Sequence, residues 1–74
     1  MVTNLYEATR GISCEVASVP KVGLLESLGV RTGTTITVQN RYAMGGPVLL
    51  RVNNTFSVAI GKDIATQIAV KLPI

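Results

Sequence analysis

The 74 residues, 47% hydrophobic and 15% charged, make one domain over 1–74, too apolar for a disordered solvating chain and too short for a second core. A formal charge of +3 arises from scattered Lys and Arg with no basic run and three aromatics, Tyr6, Tyr42 and Phe56, so a dedicated nucleic-acid surface is disfavoured. No stretch reaches the roughly 18 to 20 apolar residues of a membrane span. The absence of His and the single Cys14 leave no internal disulfide, no histidine base and no four-ligand zinc site.

From the N-terminus, Leu5 and Tyr6 are the large apolar residues before an approach turn at Glu7–Gly11, and Leu5 is expected to cross one end of the core. Alternation begins after Gly11. Ile12, Cys14 and Val16 fall on one face of a first strand that ends near Val19, where Pro20 stops the ladder. Cys14 reads as a small buried residue of that face.

The period then changes. A helix is expected from Lys21 to Leu28, with Val22, Leu25 and Leu28 on its inner face, Leu24 at the margin and Glu26 and Ser27 outward. Leu28 is read as a core leucine. Gly29 suits the left-handed C-terminal position, and Gly33 opens a turn into the second strand, Thr34 to Arg41, where Ile36 and Val38 point inward.

Tyr42 to Pro47 breaks the pattern with two glycines beside a proline. Val48, Leu50 and Val52 form a third strand, Asn53-Asn54 a tight turn, and Phe56, Val58 and Ile60 a fourth strand. Gly61 to Thr66 reads as a single helical turn. The last strand runs from Gln67 to Leu72, with Ile68, Val70 and Leu72 inward, and the chain closes at Pro73-Ile74 with no tail expected. These elements predict a mainly β fold: a small, strongly bent five-stranded barrel with one short helix inserted after the first strand.

Catalytic constellations are missing. Glu7, Glu15, Glu26 and Asp63 are not spaced as a carboxylate pair, and Gly45-Gly46-Pro47 lacks the lysine and following helix of a phosphate loop. What remains is surface. Tyr42, Ala43 and Met44 put apolar and aromatic side chains on a glycine-flanked loop, which either docks a partner or folds back over a barrel end. Arg31, Arg41 and Arg51 could share a basic face, against the simpler reading of a solvated surface.

Leu24-Leu25-Glu26-Ser27-Leu28-Gly29-Val30-Arg31-Thr32-Gly33-Thr34 resembles the Leu-Leu-Glu-Leu-Gly-Phe-x-x-Gly-Thr core of the FeoA family, small cytosolic accessory proteins of bacterial ferrous-iron uptake. Ala43 to Val48 is similar to that family's hairpin, Arg51-Val52 to its central strand, and Ser57 to Ile60 to its following strand. Asp63-Ile64-Ala65 sits where the family has a short acidic turn. Val22 and Gly23 replace a basic pair common in the family, and Gly46 replaces an aspartate before the hairpin proline.

The resemblance implies an SH3-like barrel, related to the C-terminal domain of iron-dependent repressors, and a cytoplasmic, non-enzymatic role at the cytosolic domain of the Fe(II) transporter FeoB. No cofactor and no metal site is implied by the residues. The candidate partner-binding residues are Tyr42, Ala43, Met44, Gly45 and Gly46 of the loop, with Glu26 and Arg31 beside the helix. A nucleic-acid-binding barrel and a homo-oligomeric interaction module are the alternatives.

Overall fold

The alternating segments pair into one antiparallel sheet in the computed structural model, which describes residues 1–73; Ile74, part of the expected chain end, lies outside them. In chain order the elements are β1 (Val2–Asn4), a 3-10 turn (Leu5–Glu7), β2 (Ser13–Ser18), α1 (Gly23–Ser27), β3 (Thr35–Arg41), β4 (Val48–Val52), β5 (Phe56–Ile60), α2 (Lys62–Ala65) and β6 (Ala69–Lys71). The strand order is β1-β6-β2-β3-β4-β5. The fold is mainly β, and the sheet curls around its core as a small barrel.

Two register shifts help to bend it. One falls between Val16 and Ser18 where β2 meets β6, and the other between Val38 and Asn40 where β3 meets β4. A bulge adds local twist, so long strands can turn from one half of the barrel to the other. The inner faces alternate as expected. Cys14 and Val16, Ile36 and Val38, Val48, Leu50 and Val52, and Ile68 and Val70 are all buried. Burying a Val, Leu or Ile fully contributes about 1.5–3 kcal/mol each, which makes this set the main source of stability.

The structure departs from the expected five strands. Val2–Asn4 adds a sixth by pairing with β6, and the helix therefore follows the second strand rather than the first. Leu5 is fully buried, as expected, and its N–H donates to the Ile68 carbonyl at 2.8 Å.

Ile12 is not on the core face. Gly11, at φ +85°, turns the chain, its N–H donates to the Val38 carbonyl at 2.9 Å, and the ladder begins only at Ser13. Phe56 is also outside, 45% exposed, because β5 is an edge strand and its first residue reaches beyond the core to Gly29.

Helix α1 is shorter than its periodicity predicts. Val22 is its N-cap in an extended conformation with no side-chain cap, so only Gly23–Ser27 is helical. Its C-terminus is well made. Gly29 at φ +81° donates to Glu26 at 3.0 Å, and Val30 donates to Leu25 at 2.9 Å, the paired bonds of a Schellman ending. Leu25 and Val30 are both buried and supply its apolar contact, whereas Leu28 is half-buried and Leu24 is 65% exposed.

Candidate partner-docking site

The loop between β3 and β4 is built by two nested backbone bonds. Tyr42 N–H donates to the Pro47 carbonyl at 3.1 Å, and Gly46 N–H to the Ala43 carbonyl at 3.2 Å. Between them Met44 and Gly45 both take left-handed conformations, at φ +60° and +75°. Glycine adopts this geometry without steric cost, whereas an L-residue there loses roughly 1–2 kcal/mol. Met44 is nevertheless fully exposed and Tyr42 half-exposed, so the loop displays its apolar side chains outward. Met44 does not fold back over the barrel end.

The base of the loop is held from distant parts of the chain. Tyr6 Oη donates to the Gly46 carbonyl at 3.2 Å. The Lys62 Nζ stands 5.5 Å from the Tyr6 ring centroid and the Arg41 guanidinium carbon 5.8 Å from it, within reach of a cation–π attraction. Arg41 also donates through a terminal nitrogen to the Ala8 carbonyl. Tyr6 and Lys62 are thus the supports that local sequence patterns did not single out, since their partners lie far along the chain.

Arg41 is accordingly no member of a free basic face. Its guanidinium is partly buried against the 3-10 turn, while Arg51 donates to the Asn54 carbonyl at 3.3 Å at the far end of β4. Arg31 is exposed and lies elsewhere again.

Glu26 and Arg31 do come together, in an open groove of about 650 Å³ between the end of β2 and helix α1. Val19, Pro20, Val22, Leu25 and Val30 give it an apolar lining, and Lys21 joins Arg31 and Glu26 as its charged residues. This groove is not continuous with the loop. A Cβ on Gly29, at the end of α1, would stand 3.8 Å from Val52, the last residue of β4, whereas the loop adjoins Val48, its first. The seven candidate residues therefore form two surfaces, five in the loop and two in the groove.

Among the described residues no three His, Cys, Asp or Glu side chains gather where they could hold a metal ion. No described helix is long and apolar enough to cross a membrane.

The FeoA domain model matches residues 3–72. The chain belongs to the FeoA family. A solved structure described as an iron uptake regulatory protein (FeoA) is 32% identical, covers 96% of each chain and superposes with a TM-score of 0.85. A FeoA-like protein from Clostridium acetobutylicum, 23% identical, covers 99% of this chain and 88% of its own, with a TM-score of 0.81. A manganese-dependent transcriptional repressor in complex with manganese shares the fold at 19% identity and a TM-score of 0.85, and there the match spans 95% of this chain but 36% of the repressor. No curated protein matches. The small SH3-like barrel is therefore common to FeoA proteins and to part of a metal-dependent repressor, and FeoA membership supports an iron-related accessory or regulatory role.

Proposed function

We propose that this chain is a cytoplasmic, non-enzymatic accessory protein of ferrous-iron uptake that docks the cytosolic part of a FeoB-type transporter through the Tyr42–Gly46 loop. One observation carries the choice of surface: Met44 is fully exposed on a left-handed turn, where glycine would relieve the backbone. Its flexible thioether suits a contact that must adapt to a partner. Family membership supplies the iron context.

The same partner meets Glu26 and Arg31 of the groove as a second contact. The five residues of β4, at about 3.3 Å per residue, separate the two surfaces far enough for their effects to add. A nucleic-acid-binding barrel loses support because the Arg41 guanidinium is already engaged by Ala8 and Tyr6.

Binding of the full chain to the cytosolic domain of FeoB, measured by calorimetry, tests the proposal. Met44→Gly should raise thermal stability and weaken binding, a combination that a purely structural methionine does not produce. Charge reversal at Glu26 and Arg31 should weaken binding further without loss of fold. Absence of any complex at high micromolar concentration would sink the proposal.

A further inference from the structure

We propose that β5 pairs with β5 of a second copy of this chain, antiparallel about a two-fold axis through Val58. The free side of β5 can be read from its neighbour. Asn53 N–H donates to the Thr35 carbonyl at 2.9 Å, towards β3, so Leu49 and Arg51 also turn their main chain to β3 while Val48, Leu50 and Val52 turn theirs to β5. Their register partners Ile60, Val58 and Phe56 bond to β4. Ser57 and Ala59 are left with N–H and C=O on the open edge, and both are exposed.

This edge lacks the usual protections. The opposite edge strand, β1, has three residues and passes directly into the 3-10 turn. β5 has five residues in unbroken register, with no Lys, no Pro and no bulge. Natural sheets blunt exposed edges with just such devices, and an edge without them is a template for another strand.

A second copy is the occupant that the strand's chemistry favours. The two-fold sets Ser57 against Ala59 of the other copy, a small neutral pair that allows four main-chain hydrogen bonds across the axis. A chain of net charge +3 approaches its own copy against repulsion, and β5 is the longer of the two edges and carries no charge at all. The same register brings Phe56, half-exposed in one copy, across from Ile60 of the other. One five-residue edge buries much less than the about 1,200–2,000 Å² of a stable specific interface, so the dimer is weak and forms with concentration.

Sedimentation of the full chain from low micromolar to millimolar concentration tests this, together with amide exchange of Ser57 and Ala59. The mass should rise towards twice the monomer, and both amides should gain protection as it does. Ser57→Lys with Ala59→Lys should weaken association about tenfold by placing like charges opposite each other. Ser57→Glu with Ala59→Lys should restore it, because each position faces the other across the axis. Melting at low concentration establishes that each variant is folded, and if the lysine pair is not, mass and amide protection of the unmodified chain decide.

A monomeric mass throughout, or association untouched by a folded lysine pair, overturns the proposal. Protection of the two amides only on adding the FeoB cytosolic domain would assign the edge to that partner and equally overturn self-pairing. Met44→Gly should leave self-association unchanged, which keeps this test apart from that of the loop.

Discussion

Thr34 Oγ1 donates to the Gly29 carbonyl at 3.0 Å, and this single bond joins the end of α1 to the entry of β3. The same oxygen accepts the Arg31 N–H at 3.3 Å, so one buried hydroxyl satisfies both sides of the turn. Thr34→Val keeps the shape and leaves both main-chain groups without this partner. A loss of about 1–3 kcal/mol is expected, read as a fall in the urea midpoint, and Thr34→Ser should recover most of it.

Leu25, rather than Leu28, anchors the helix. Leu25 is 3% exposed and packs beneath the Schellman ending with Val30, so Leu25→Ala should cost about 2–5 kcal/mol. Leu28→Ala removes a half-buried side chain and should cost clearly less. Equal losses in chemical denaturation would contradict the packing described.

Gly46 cannot accept a side chain where the loop now stands. A Cβ there would lie 2.9 Å from Tyr42 Cβ and 3.2 Å from the Ala43 carbonyl oxygen, neither of which is the end of a flexible group. Gly46→Ala should therefore shift the loop, loosen the Tyr6 hydrogen bond and lower stability by about 1–3 kcal/mol. Gly61→Ala meets open space at an ordinary φ of −62° and serves as a nearly neutral control.

Cys14 is buried near the start of β2, its thiol directed to the Ile36 carbonyl at 3.5 Å, and burial pushes its pKa above the ordinary 9.0. Folding thus favours the neutral thiol. That contribution is whole below pH 9.0 and is lost as the pH rises through the raised folded value, since only the unfolded chain ionises readily in between. Urea titrations at neutral and alkaline pH should show stability falling on the alkaline side, with a smaller fall in Cys14→Ala. Thiol labelling should proceed only as fast as the protein opens.

Much of this architecture is visible in the order of residues. Alternation placed Val48, Leu50 and Val52, Ile36 and Val38, and Val70 correctly, because a strand with one buried face must repeat every two residues. Gly29 announced the end of α1, since a left-handed residue there is nearly always glycine or asparagine. Ile12 and Phe56 misled for a related reason. Each continues an apolar alternation, yet Gly11 turns the chain before the ladder starts and, among the described residues, no strand pairs with the outer side of β5.

Sequence by itself determined the mainly β class, the helix-to-strand change around Gly29 and Gly33, and the family through Leu24–Thr34. These depend on local period, backbone permissiveness and residue type. Tertiary structure alone decided that Val2–Asn4 is a strand, because three residues become one only when β6 lies beside them. It also decided that Met44 faces outward, that Arg41 is held by Ala8 and Tyr6, and that the loop and the Glu26–Arg31 groove are separate surfaces. Such outcomes rest on contacts between residues far apart in the chain, such as Tyr6 with Gly46, for which no local pattern carries a signal.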